Sequence, residues 1–416
     1  MKKNKYESPP ITQETTWNNA KKWLSIVRFR ESGTVIQLQD DCEYRVLEVI
    51  HNKEILRAHL GPYFKKYLLA YIPLDEQDLG KTIRKTFFEL CLTKRIGTKG
   101  TLSDLTTQEL VDELARQGYD IGLFVSHVAS LLTETNLQPL IDLELLVRTS
   151  KNLSVIMFSE RDITHPAFNK LGDKCSFLFD HIIYYPLYSE TDSRQFLAHY
   201  ANQWDFSLPE KSVAELIDAC GGYLWLLHQA ERTLRDNPTM HLSDAFSDTV
   251  LLRKLEIIWS KFSPLEQKII RNVHLGTITE KETLSHEFEY LIKIRAIVKK
   301  DNSFILGIPL LSKVLERESR LETVKSVRDH ILIGKKDITA MFSRQEKQFL
   351  LVLLASKKKI LTRDTMATAI WGASWEEKYS DWAIDKLAHR VRAKLLRAGA
   401  PRDLFKTIKR KGFMFG

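Results

Sequence analysis

The chain has 416 residues, 44% of them apolar and 28% charged, so it reads as globular, neither disordered nor fibrous, and long enough for two to four domains. No apolar run approaches the roughly 20 residues that cross a bilayer, and the basic start Met1-Lys2-Lys3-Asn4-Lys5 leads into polar residues, so a cytoplasmic protein with neither secretory signal nor membrane partner is expected. The net charge of +9 is local: residues 335–416 hold 19 of the 62 lysines and arginines but only 8 of the 53 acids, a positive field suited to a phosphate backbone and otherwise to a solvated face.

Along the first two-thirds, Thr34–Leu38, Tyr67–Leu74, Ile121–Val125 and Leu153–Phe158 are short apolar runs separated by helical patterns, as in a parallel α/β sheet. His181–Leu187 is a further strand candidate that leads into the helix cap Ser189-Glu190-Thr191. Cys42, Cys91, Cys175 and Cys220 lie far apart without a C-x-x-C pair, so they read as core thiols, with no zinc site or disulfide framework. Farther on, Ala219-Cys220-Gly221-Gly222-Tyr223-Leu224 resembles the glycine-pair segment in the helical lid of STAND/AAA+ signalling ATPases. The order of strands, lid and downstream winged helices is similar to that family as well.

The chemistry which that resemblance implies is not carried by the residues. A phosphate-binding loop needs glycines after the first strand, then a Lys for the phosphates and a Ser or Thr for magnesium. Here the stretch is Gln39-Asp40-Asp41-Cys42-Glu43-Tyr44-Arg45, with no glycine and three carboxylates. Magnesium also requires an acid ending a later strand, and after Gly122–Val125 the chain offers Ser126-His127. Gly80-Lys81-Thr82 matches the end of a phosphate-loop signature, but Lys81 reads equally as a solvated residue near the start of a helix over Thr82–Leu92. No catalytic, cofactor or metal residue is therefore expected.

After the lid, Ser263-Pro264-Leu265-Glu266 starts a helix with proline at its first position, and Ile297-Val298 and Phe304-Leu306 flank Asp301-Asn302 as a hairpin. This resembles the winged helix that follows the lid in the same ATPases. Its candidate recognition helix, near Lys281–Lys293, carries Glu282, Glu287 and Glu289, which repel DNA and suggest a packing or interaction module. Residues 316–336 read as a charged, largely helical connector.

In the basic segment, Ser343-Arg344-Gln345-Glu346 is a capping box before the apolar run from Phe349. Thr362 caps a second helix ending near Trp371-Gly372. A third begins about Ser380 or Asp381 and runs to Arg397, ahead of Gly399 and Pro401. In it Ile384, Leu387, Ala388, Val391 and Leu395 form an apolar stripe opposite Lys386, His389, Arg390 and Arg397. Phe405–Ile408 and Phe413–Phe415 flank Lys409-Arg410-Lys411-Gly412 as a basic hairpin. Three helices and a hairpin make a winged helix. With Ile370-Trp371-Gly372, Arg390-Val391-Arg392-Ala393-Lys394-Leu395 and Thr407-Ile408-Lys409, the segment resembles the effector domain of OmpR/PhoB-type response regulators. The resemblance implies a third helix in the major groove, with His389 and Arg390 toward bases or adjacent phosphates. It also implies DNA-backbone contacts from Arg392 and Thr407, and a minor-groove wing bearing Lys409, Arg410 and Lys411. Lys386 joins them from the helical wheel. Leu387 stands where the family usually has His, and Arg410-Lys411 replaces a small wing tip, so the operator is not carried over.

The fold class expected is thus a P-loop-like parallel α/β domain (1–188) with a helical lid (189–250), a winged-helix interaction domain (251–315), the connector, and a DNA-binding winged helix (337–416). Two functions remain open at this point. One is a bacterial regulator that binds double-stranded DNA and whose degenerate ATPase-like module acts as scaffold or sensor toward a protein partner. The other is an active signalling NTPase that uses winged helices for assembly.

Overall fold

The computed structural model describes every residue except 1–10, 40, 74–78, 97–100, 132–136, 323, 334–335, 357–358, 373–380, 399, 401–403, 410 and 416. Leu74, Asp40, Ser380, Gly399 and Pro401, singled out above, lie outside the described residues. The chain divides into two compact units, Met1–Leu311 and Ser312–Gly416.

In the first unit, β1 (Gly33–Gln37), β2 (Tyr67–Ile72), β3 (Asp120–Val125), β4 (Leu153–Ser159) and β5 (His181–Tyr185) form one parallel sheet in the order β2-β3-β4-β1-β5. The apolar runs do not alternate because both faces are covered: every residue of β1 and β4 is buried. On one face α1 (Gln13–Phe29), α2 (Cys42–His51) and α3 (Lys53–Leu60) bury Trp23, Val46 and Ile55 against Val35, Phe124 and Phe158. Helices α4 (Leu79–Thr93), α5 (Thr107–Arg116) and α6 (Gln138–Thr149) pack on one another and against β2 and β4. The short α7 (Asn169–Lys174) precedes β5. All four cysteines are buried free thiols, as their spacing suggested.

The lid consists of α8 (Glu190–Trp204), α9 (Glu210–Cys220), α10 (Leu224–Asp236), α11 (Leu242–Ala245) and α12 (Thr249–Lys261). Its glycine pair is required by close approach. Gly221 and Gly222 have φ of +62° and +80°, and a Cβ on them would lie 1.6 Å from the Gly307 carbonyl oxygen and 2.1 Å from that of Tyr188. The first winged helix follows as α13 (Pro264–His274), α14 (Glu280–Thr283), α15 (His286–Lys293) and the hairpin β6 (Ile297–Lys300) with β7 (Ser303–Leu306). The single helix expected near Lys281–Lys293 is broken in two, because Ser285 starts a new helix by accepting from the Phe288 amide at 3.2 Å.

In the second unit the connector is only partly helical. Helix α16 (Leu311–Glu322) leads into an antiparallel meander of β8 (Val324–Val327), β9 (His330–Ile333) and β10 (Lys336–Asp337). Val324 and Ile331 bury themselves in the core of the C-terminal winged helix, so tertiary burial overrides a polar local sequence. Then come α17 (Arg344–Ala355), β11 (Ile360–Leu361), α18 (Arg363–Trp371), α19 (Asp381–Arg397), β12 (Phe405–Ile408) and β13 (Gly412–Phe415), the three strands pairing as β11-β13-β12.

One buried carboxylate ties the start of the first unit to the start of its lid. Asp192 accepts from the Thr12 amide and hydroxyl at 3.0 and 2.6 Å, the Thr15 hydroxyl at 3.1 Å, and the Ser189 amide and hydroxyl at 3.3 and 2.6 Å. Burial alone would raise its pKa, but hydrogen bonds from Ser189, Thr12 and Thr15 outweigh it and hold the carboxyl below the usual aspartate value. Asp192→Asn is expected to destabilise the first unit by about 1 to 3 kcal/mol at neutral pH. A depressed native pKa means that this stability is complete above the unfolded value of about 3.9 and is lost as pH falls through the lower native one. Thermal unfolding of both proteins from pH 7 down to about pH 3 should therefore show the gap narrowing only below about pH 4.

Candidate nucleic-acid interface

The apolar stripe of α19 is buried as its spacing requires: Ile384, Leu387, Ala388, Val391 and Leu395 are each at most 2% exposed. It packs among Phe349, Phe405 and Phe413, whose rings meet pairwise at 5.5 to 6.0 Å between centroids. The opposite face carries Lys386, His389 and Arg397, all exposed. Trp382 joins them, 70% exposed, with the Lys386 ammonium 4.4 Å from its ring centroid. Nothing in the apolar pattern flags Trp382. The helical wheel could have found it, since it lies one turn before Lys386 and two before His389.

The flanks of α19 are anchored to the scaffold. On one flank Lys394 Nζ lies 2.5 Å and Arg390 Nε 3.6 Å from the Glu346 carboxylate, whose side chain is 2% exposed. Glu346 also closes the capping box of α17, accepting from the Ser343 amide at 2.8 Å while its own amide donates to the Ser343 hydroxyl. Burial pushes the Glu346 carboxyl up, yet hydrogen bonds from Lys394 and Ser343 win and hold it below its usual range. Arg390 is thus half exposed and turned toward α17, at the edge of the solvent face.

On the other flank the Arg392 guanidinium donates to the Phe405 carbonyl at 3.2 Å and the Thr407 hydroxyl at 2.8 Å, and covers the Phe405 ring at 4.7 Å. Arg392 and Thr407, singled out separately from the sequence, are partners of each other. Arg363 ties α18 to α19 through Asp385 at 3.0 Å. In the wing Lys409 and Lys411 are exposed, and Arg410 lies outside the described residues. Gly412 holds φ at +134° where a Cβ would lie 2.0 Å from the Leu361 carbonyl oxygen, so only glycine lets β13 meet β11. Lys386, His389 and the flanking Arg390 are therefore brought onto one helix, with the Lys409 and Lys411 hairpin in the same unit.

Residues 338–415 match the family described as "Transcriptional regulatory protein, C terminal". This segment is an OmpR/PhoB-type DNA-binding domain. A search of curated proteins found no match to the chain. Among solved structures it is similar to the Walker-type ATPase of Pyrococcus abyssi, at 16% identity and a TM-score of 0.47 over 75% of this chain and 99% of that one. It is also similar to the Aeropyrum pernix ORC1 protein in complex with DNA (12%, TM-score 0.40, 76% and 95%) and to the Thermotoga maritima RuvB Holliday junction branch migration motor (11%, 0.34, 74% and 95%).

The turn after β1 is held by the protein's own side chains. Asp41 accepts from the Tyr188 hydroxyl at 2.7 Å, Arg45 Nε at 3.2 Å and the Gln39 amide at 3.4 Å. Gln39 Oε1 in turn accepts from the Leu224 amide of the lid at 2.6 Å, and Lys261 donates to the Leu38 carbonyl at 3.1 Å. Beyond β3, Ser126 accepts from the Tyr71 hydroxyl at 2.7 Å and His127 Nδ1 meets Glu160 at 3.2 Å. Gly80-Lys81-Thr82 lies in the first turn of α4, after the edge strand β2 and away from β1. Lys81 there borders a shallow groove with Arg84, Lys85, Phe88 and Ser103.

Arg392 is placed to position the wing, and replacing it should show this without DNA. Arg392→Ala is expected to destabilise the C-terminal unit by about 1 to 2 kcal/mol through two lost hydrogen bonds and the uncovered Phe405 ring. Thermal unfolding of the full chain checks the shift, and an unchanged transition would remove the anchor.

Proposed function

We propose that the chain is a sequence-reading transcription regulator that works in the cytoplasm on double-stranded DNA. In this reading its ATPase-like module is catalytically degenerate and serves as a scaffold or a sensor for a protein partner. The observation that carries the DNA half is the two-sidedness of α19: one stripe is at most 2% exposed while the opposite face presents Lys386 and His389 to solvent. Such a face fits a major groove, where side chains meet base edges, and a basic hairpin fits backbone charge. Trp382 adds an apolar surface that suits a thymine methyl group. Arg390, at the flank beside Glu346, suits a phosphate or base at the groove edge. Arg392 and Thr407 hold the wing and leave the Thr407 hydroxyl proton available to a phosphate.

His389→Ala is expected to weaken cognate binding by about 1 to 3 kcal/mol with little change on random duplex. Lys409→Ala should weaken both and lower the salt slope by about one unit. Competition titrations at several salt concentrations, with a duplex chosen from a genome-wide binding map and its scrambled copy, measure both effects. If neither substitution altered binding to any duplex, the domain would not read DNA through this face.

The degenerate reading of the module is supported by the Asp41, Arg45 and Tyr188 cluster, which stands where a glycine loop would wrap phosphates. Millimolar ATP with magnesium, titrated into the full chain, should give neither saturable heat nor phosphate release. Hydrolysis that disappears in Lys81→Ala would instead make the module an active NTPase.

A further inference from the structure

A cavity of about 410 Å³ opens at the C-terminal ends of β1 and β5, bordered by the first halves of α1 and α8 and by Arg295 of the first winged helix. That volume lies within the range of small-molecule sites, roughly 300 to 1,000 Å³. Gln37 and Tyr185, register partners on the two strands, both line it. Gln37 is 6% exposed, and its amide nitrogen has no hydrogen-bond partner among the described residues. The buried Tyr185 hydroxyl lies beside the Trp23 indole. A buried donor left unmade is costly, so an amide aimed into a cavity marks a place where an acceptor belongs.

The charges of the lining say which acceptor. Glu14, Asp41 and Asp192 face Lys22 and Arg295, so acids outnumber bases. Asp192 is already saturated by its own neighbours and offsets the amide-rich starts of α1 and α8, while Asp41 takes Tyr188, Arg45 and Gln39 on one of its oxygens. An anionic ligand would find no net positive field there. Beside the charges of Glu14, Lys22 and Arg295, what remains for a ligand is neutral: the amides of Asn18, Asn19 and Gln37 and the Thr191 hydroxyl, groups that both donate and accept.

We propose that this cavity binds an uncharged, hydroxyl-rich small molecule of sugar size, with the Gln37 amide donating to a ligand oxygen. The occupant would touch the sheet, the first lid helix and the first winged helix together, which deepens the sensor reading above and rests on it.

Isothermal titration and thermal shift of the full chain with glucose, ribose, N-acetylglucosamine and myo-inositol, against adenosine, ATP and glutamate, test the assignment. At least one of the four polyols should bind saturably, and the other three compounds should not. Gln37→Leu removes the unpaired amide at similar size, so it should leave the ligand-free melting temperature unchanged or higher while weakening polyol binding about tenfold or more. Asn18→Ala, at the exposed rim, should weaken it without touching the fold and serves if the Leu variant misfolds. Silence from all four polyols, or undiminished binding in Gln37→Leu or, if that misfolds, Asn18→Ala, overturns the proposal alone. Saturable ATP binding overturns both it and the degenerate reading of the module.

Discussion

The DNA-facing unit depends on one buried carboxylate used twice. Glu346 completes the cap of α17 and at the same time receives Lys394 and Arg390 from α19. A capping residue is fixed in rotamer by the backbone it caps, so it is a rigid anchor for cations arriving from another helix. The rotation of α19 about its own axis follows: with Lys394 held to one side and Arg392 tied to the hairpin on the other, the stripe between them must face outward. That stripe contains Lys386, His389 and Trp382.

The first unit shows the same economy with polar groups. Asp192 joins two helix starts through five hydrogen bonds, and Asp41 gathers Arg45, Tyr188 and Gln39 in the turn after β1. Charge that would otherwise meet a ligand is consumed internally. The result is a parallel sheet whose turn after β1 is held by the protein's own side chains, next to a cavity lined by the neutral Gln37 amide.

Much of this was legible in the sequence because it is local. All five parallel strands fall within two residues of their apolar runs, and the capping boxes at Ser263 and Ser343 mark α13 and α17 correctly. The buried stripe of α19 is the one that its spacing gives. The meander over β8 to β10 was not legible, since its strands are short, charged and held by Val324 and Ile331 reaching a core built largely by residues far along the chain. The pairing of Arg392 with Thr407 across 15 positions was equally hidden. So were the outward Trp382 and the inward lean of Arg390, because a wheel shows which face a residue occupies and not what the neighbouring helix offers it.

The glycine pair of the lid has a further consequence. Gly221 and Gly222 press bare backbone against the backbones of Gly307 and Tyr188, so three segments distant in sequence are joined there without any side chain taking part. Such a joint is indifferent to drift in the residues around it, and two homologues could share almost no side chains and still close it identically. It is also brittle in one respect: a single methyl group at position 221 would wedge the lid from the first winged helix, and one at 222 would part it from the hinge after β5. Inheritance at this junction is a matter of two hydrogen atoms rather than of chemistry.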